Sequence, residues 1–597
     1  MENNSMIKRL TRRMSVIGYC LMVMSMVSCI DTVILPYDKT VDEDFWKSKS
    51  DVQQMVYGAY NSMLNSAVIE RLIVWGDMRS DELMPVTTVS LNVDIQEDLV
   101  EINTGNTQPD NRYATWSALY SVINNCNIIL SRAADVMLED PNYTQGDYLA
   151  DCSQMIALRS LCYFTLVKVF RDVPYTTEAF MNSSQNMSIA QSNPDSVLTA
   201  CIKDLEEAEA NSVLASAYAD WRRVGTFTRD GIDALLADIY LWRGSMNRDA
   251  ADYQKAVYYC DKVIESKKQQ HQKGMGEIEE SEYPLANGQN MFSTLFALQN
   301  AEESIFELQF PGYSGSSSDV RNNIAVCNYF NFTRNNTPYL QAPNFFKFGD
   351  TSNKSVFKTG TSVNDYRALT YTYAPNGEEM YVRKYVGTND IRSASAGQES
   401  KSVIRAATPY AQNYMFYRLS DVMLMKAEAL TAMAADENDI NLQVAFNLVR
   451  EVNARSKINP ATDSLRWAGL RNQVDGAVDN KKIDMELMVL AERLREFAFE
   501  GKRWYDLMRY NFRNTSVPVD YKSTLAEQAA RGVSYVNNYD NMLTLMVRKF
   551  SAGDAVKAKM RTEPKLYMPI PEADIKICPQ LHQNPVYDSS SNFGKNN

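Results

Sequence analysis

The sequence predicts a mainly α fold in which helical hairpins form the scaffold, one long loop-rich stretch interrupts them, and a few short strands complete the body. Three observations carry this reading. Apolar residues recur at i, i+3, i+4 and i+7 over several long segments. Two hairpin-like segments far apart in the chain repeat the same small-residue offsets. From about 268 to 413 the helical period gives way to Ser, Asn, Gly, Tyr and Phe. The totals agree with a folded protein, since 597 residues with 45% hydrophobic, 22% charged and 11% aromatic are neither disordered nor polytopic. A net charge of −12 has the wrong sign for phosphate neutralisation, so no nucleic-acid partner is expected. Only two histidines occur, His271 and His582, which excludes chemistry that needs several imidazoles.

The N-terminus reads as an export signal. Lys8, Arg9, Arg12 and Arg13 form a basic region, and Met14 to Val27 is an uncharged, mostly apolar run too short to span a bilayer comfortably. It ends Met26-Val27-Ser28-Cys29, which resembles a bacterial lipobox and makes Cys29 the expected lipidation site. The predicted layout is a signal over 1–28, a lipidated tether over 29–45 and one body over 46–597. Removing 28 of 597 residues takes away four basic groups and Glu2, leaving 569 residues at −15. Seven later cysteines, an odd number with no CxxC pair, predict neither a disulfide framework nor a zinc site. Cys126, Cys162 and Cys260 fall on apolar stripes, where a thiol behaves as a small hydrophobe.

Each helical segment has its own signal. Ser50 followed by Gln53 reads as a capping box ahead of a stripe of Val52, Met55, Val56, Ala59, Tyr60, Met63 and Leu64. Leu119, Val122, Ile123, Cys126, Leu130 and Ala133 form a second stripe. Met155, Cys162, Tyr163, Leu166, Val167 and Phe170 form a third, on which Arg159 is expected to be ion-paired. Ala237 and Tyr240 followed by Ala256, Cys260 and Val263 have the offsets of a tetratricopeptide-like hairpin, and Ala427, Leu430, Ala445, Val449 and Val452 repeat them. Repeats are thus expected mainly over 46–265 and 414–512. Such hairpins bury one face each and must stack to close a core. Glu303 to Phe310 alternates like a strand. The rest of 268–413 reads as loops rich in Tyr and Phe, including Tyr313, Tyr329, Phe332, Tyr339 and Phe348, and long aromatic loops in a compact protein point to binding.

Five blocks in the chain carry a family resemblance. Arg418-Leu419-Ser420-Asp421, continuing to Ala427-Glu428-Ala429, is followed by Glu492-Arg493 and by Glu496-Phe497-Ala498-Phe499-Glu500-Gly501-Lys502-Arg503-Trp504-Tyr505-Asp506-Leu507-Met508-Arg509. Pro569-Ile570-Pro571 with Gln583-Asn584-Pro585 closes the chain, within a signature over 566–587. Upstream stand Asp44-Phe45-Trp46, and Leu158-Arg159 with Phe170-Arg171-Asp172-Val173-Pro174. In this order the blocks resemble the SusD/RagB family of Bacteroidetes outer-membrane lipoproteins. Arg171 stands where that pattern has glycine, Val586 replaces another glycine, and Cys578 stands where asparagine is usual.

The resemblance implies a tetratricopeptide-like scaffold with a variable half that carries the ligand site. It also implies a cell-surface role at the outer membrane, in which a nutrient, foremost a glycan, is captured and delivered to a SusC-like TonB-dependent β-barrel transporter. Sugars need flat rings for their C–H faces and amides or charges for their hydroxyls. On that chemistry the ligand-binding candidates are Arg79, Asn106, Tyr113, Tyr313, Tyr329 and Tyr339, with ion pairing as the other use of Arg79 and loop packing that of the tyrosines. Asp77 and Asp81 are expected to be structural, and Trp75 and Trp116 core. No nucleophile elbow, P-loop, GxGxxG or HExxH occurs, so no catalysis, cofactor or metal is expected. Glu492, Glu496 and Glu500, at helical spacing among arginines, predict ion pairs across helices. The other reading is a surface-anchored helical-repeat module for peptides or proteins.

Overall fold

The computed structural model describes residues 45–588 apart from 87–92, 183, 277–281, 316–318, 332–337, 347–354, 358–363, 375–378, 388–408, 517–518, 534–539 and 563–564. The signal, Cys29, Asp44, Phe332 and Phe348 lie outside the described residues. From Ser48 onward the described residues form one compact unit.

Helix α1 (Lys49–Met63) is capped by Ser48, two residues before the predicted cap Ser50. The Ser48 backbone N–H and hydroxyl both donate to Asp51 at 2.8 Å, and Ser50 lies inside the first turn. Two potential caps compete here, and the one with a carboxylate at N3 closes both ends of the box. Val52, Val56, Ala59, Tyr60 and Met63 are buried as the stripe requires. Next come α2 (Ser66–Ile73), continued by a π turn over Val74–Met78, and α3 (Val93–Asn103). Then follow α4 (Ser117–Glu139) and α5 (Gln145–Phe170). Helix α5 is buried on all sides from Asp151 to Phe170 except at Ile156 and Lys168, so it is the central helix rather than an amphipathic one. Arg159 on it pairs with Asp204 at 2.8 Å and donates to Asn127, as expected.

Helices α6 (Pro194–Asn211), α7 (Arg229–Asn247) and α8 (Ala250–Met275) continue the stack. The α7–α8 turn passes through Arg248 at φ 55° and is fastened by Arg243 on Asp252 at 2.6 and 2.8 Å. Helix α8 runs to Met275, beyond the expected boundary at 265. Its polar run SKKQQHQKG has lost apolar period because that end is largely solvated, not because it is a loop. After the short α9 (Ile324–Phe330) come α10 (Leu419–Met433), α11 (Ile440–Arg455), α12 (Lys481–Phe497) and α13 (Arg503–Asn514).

From α4 to α8 each helix packs on the next, α8 then packs on α10, and the series resumes through α13. The stretch between Met275 and Tyr414 is therefore an insertion, and the two predicted hairpins are neighbours in one stack. Four two-stranded antiparallel ladders occur among the described residues. The longest pairs Ser304–Leu308 with Tyr414–Arg418 and so ties the insertion to the start of α10. Its first strand is buried at every position, unlike the half-exposed strand its alternation suggests, because Phe227 stacks on Phe306 at 4.1 Å while Glu307 bonds inward to Asn413.

Candidate functional site

A cleft of about 650 Å³ opens where α1, the single turn Arg222–Gly225 and the insertion meet. Two of its rings are exposed, Tyr57 at 43% and Trp221 at 42%, with centroids 6.1 Å apart and planes inclined by 53°. Tyr57 follows Val56 on α1 and so points away from the core stripe. Trp221 lies over Gly225, where a Cβ would come within 2.6 Å of the indole and 2.5 Å of the Gln309 side chain. Glycine is the residue that lets both close over the backbone at this point. Leu64, Leu308, Phe310, Pro311 and the edge of Tyr60 form the apolar floor.

The polar lining consists of carboxamides and one guanidinium. Gln299 donates to the Ala411 carbonyl at 2.6 Å and accepts from the Asn413 backbone. Gln309 donates to Asn300 Oδ1 at 2.8 Å, and Asn413 donates to Glu307 at 2.8 Å. The backbone carrying the first two amides is strained. Gln299 has φ 64° and ψ 177°, a region close to glycine-only, and Asn300 follows at φ 50°. Such a residue costs about 1–3 kcal/mol and persists only where its surroundings over-determine it. Here the Gln299 side-chain bonds and Arg223, which donates to the Asn300 carbonyl at 2.9 Å, do so. Flat rings beside fixed amides on strained backbone suit stacking and directional hydrogen bonds to a polyhydroxylated ligand.

None of the ligand candidates read from the sequence lines this cleft, although Tyr313 lies against one of its lining residues. The Tyr313 ring is 39% exposed and carries the lining residue Arg321 at 3.8 Å. Tyr113, Tyr329 and Tyr339 come together elsewhere. Tyr113 and Tyr329 are each 1% exposed with their hydroxyls bonded to one another, and Tyr339 meets Tyr329 edge-on at 5.4 Å. The expectation that Tyr113 and Tyr329 present ring faces to a ligand is corrected, because both faces are covered. Arg79 is corrected likewise: it is buried over the Trp504 ring at 4.1 Å and donates to the Leu566 carbonyl at 2.7 Å, joining two family blocks. Asn106 accepts from Lys559 at 3.0 Å and remains partly exposed. Tyr57, Trp221, Gln299, Asn300, Gln309 and Asn413 were missed. A tyrosine on the polar face of α1 and a tryptophan in the charged run Asp220 to Arg223 were signals; the strained amides left none.

The acidic motif residues form interior ion pairs. Glu496 receives Arg367 at 2.9 Å together with Arg418 and Arg455, while Glu492 pairs with Arg367 and Arg495, and Glu500 with Lys384 and Arg418. Burial alone would raise Glu496, but the three guanidinia hold its carboxyl well below the usual range. Asp421 takes Lys502 and Arg493, and Glu428 takes Arg509 and Arg513. Asp81 pairs with Arg503 at 2.8 Å, and Trp75 and Trp116 lie in the core. Asp77 is also structural. It accepts the Gly501 N–H at 2.8 Å, and burial pushes its carboxyl up to about 7.

A stack of helical hairpins with an inserted segment that supplies most of one open cleft defines a tetratricopeptide-like helical protein. Comparison with known proteins narrows this class. Residues 313–587 match the family described as "SusD family", and residues 35–241 match the one described as "Starch-binding associating with outer membrane". This chain belongs to the SusD/RagB family. It is similar to SusD-like protein P38 of Formosa agariphila, 24% identical over 80% of this chain and 86% of the relative. Its fold matches Bacteroides fragilis NanU, with a TM-score of 0.61 at 18% identity over 93% of this chain and all of the other. It also matches a structure described as a laminarin binding SusD-like protein, with a TM-score of 0.57 at 20% identity over 90% and 99% of the two chains.

Proposed function

We propose that this protein binds a glycan in the Tyr57–Trp221 cleft, is held at the outer membrane by acylated Cys29, and hands the glycan to a SusC-like TonB-dependent transporter. The cleft carries the reading, because two solvent-exposed rings beside pre-set carboxamides are what a pyranose needs. The descriptions of related proteins as starch-binding and laminarin binding support the ligand class. Membership of a family described in part as associating with the outer membrane supports the location. No helix among the described residues is long and apolar enough to cross a membrane, and acyl chains on Cys29 would supply the attachment in this reading. The role is capture rather than catalysis, since the motif glutamates are tied up in ion pairs.

Titration calorimetry against a broad polysaccharide panel tests the ligand. Trp221→Ala is expected to weaken binding at least about tenfold, or about 1.4 kcal/mol, with the unfolding midpoint unchanged. Binding of peptides and of no polysaccharide would reverse the assignment in favour of the peptide-binding reading. Pull-down from outer membranes with the anchor intact is expected to recover a β-barrel transporter, and recovery of none would sink the delivery step.

A further inference from the structure

We propose that the cleft selects an uncharged saccharide, built of neutral sugar units, and discriminates against uronic, sialic and sulfated glycans. This deepens the glycan reading and rests on it. No carboxylate lines the cleft among the described residues, and its one charged lining residue is Arg321. That guanidinium already has a counter-charge: Nε and one terminal nitrogen donate to the two oxygens of Asp319 at 2.9 and 2.8 Å, and its Cζ lies 3.8 Å from the Tyr313 ring centroid. Beside Trp221 the same arrangement recurs, with Arg222 bidentate on Asp220 at 2.9 to 3.1 Å. Under the amides, Glu307 is buried, bonded to Asn413, and raised by its burial. Arg223 at the edge points to carbonyls of the strained segment.

Recognition of a carboxylate or sulfate favours a guanidinium or ammonium whose charge no neighbouring carboxylate already balances. Here each arginine already has a carboxylate on its Nε edge, so an anionic sugar at the remaining N–H groups would sit beside Asp319 or Asp220 and add a second negative charge to a pair that is already neutral. The chain's net charge of −12 adds a repulsive field. The carboxamide capacity left over is neutral: the Asn61 side chain, the Asn300 amide N–H groups and Gln309 Oε1 make no bond to another described residue, and hydroxyls can both donate to and accept from them. Two open rings add stacking that carries no charge preference for a sugar face.

The test uses the full lipoprotein in detergent, titrated with neutral polysaccharides such as laminarin, dextran, xylan and galactomannan and with acidic ones such as alginate, polygalacturonate and chondroitin sulfate. At least one neutral polymer is expected to bind. Its affinity should change less than about twofold between about 20 mM and 500 mM salt, a range over which exposed charge interactions are screened out, and should fall in Trp221→Ala. Binding of an acidic polymer that weakens steeply with salt and is lost in Trp221→Ala would overturn neutrality while leaving the glycan site standing. Absence of binding to every polymer of both sets would overturn the glycan reading and this inference with it.

Discussion

Glu496 shows how a single residue holds the interior together. Its carboxylate is fully buried, receives three arginines, and would be a liability in the core without them. Glu496→Gln leaves those guanidinia short of a counter-charge, and breaking a buried pair costs about 3–5 kcal/mol. Calorimetry should show a large drop in the unfolding midpoint. By contrast, Glu572→Gln, which removes the exposed pair with Lys576, should change stability by less than about 1 kcal/mol. Equal small effects would refute this view of the motif. Arg171 makes a complementary point. It stands where the family pattern has glycine, and its φ of 70° is the left-handed region that glycine tolerates. The arginine is held there by Asp172 and by the Asp520 carbonyl, so a departure visible in sequence has a local cost and a visible compensation.

Among the elements, the π turn Val74–Met78 and the segment 498–502 lock together backbone to backbone. A Cβ at Gly76 would lie 2.1 Å from the Gly501 carbonyl oxygen, while Asp77 and Glu82 accept the N–H groups of Gly501 and Phe499. Gly76→Ala is therefore expected to cost about 3 kcal/mol or more, at the upper end of overpacking effects. Gly58→Ala in α1, where nothing lies within 4 Å of the new methyl, should be neutral or stabilising by up to about 1 kcal/mol. Urea unfolding of the two variants checks the contrast, and similar values would remove the lock. Helices such as α1, α4 and α7 were legible because their apolar spacing is a local property. The full burial of α5 was not, since its polar positions Asp151, Ser153 and Gln154 gave no sign of being covered.

Over the whole molecule, two sets of buried carboxyls act in opposite directions on stability. Glu303, Asp421, Glu492, Glu496 and Glu500 are desolvated but held low by arginines and lysines, and Asp81 is brought down to about 2. Their stabilisation is present above the unfolded values near 4 and is lost as pH falls through the lower folded ones. Burial raises Asp77 and Asp233 to about 7 and Asp151 to about 6. For these the folded state binds the extra proton, so stability declines as pH rises from about 4 towards 7. The unfolding midpoint should therefore peak in mild acid, near about pH 5, and fall on both sides. A midpoint that climbs steadily to pH 8 would contradict the balance.

By itself the sequence determined the helical hairpins, their one-sided apolar faces and the pairing of motif glutamates with arginines, because 3.6-residue periodicity and charge spacing are local. It also carried the expected export signal and acyl site at Cys29. Only the tertiary structure decided where the open cleft lies, because its rings and amides come from positions between 57 and 413 that meet when α8 packs on α10 and the insertion folds back. Period tells which face of a helix turns inward; it does not tell which aromatic of a loop will be covered. Tyr113 and Tyr329 look like ligand residues in sequence and are buried against each other, whereas Tyr57 and Trp221 stay largely open to solvent.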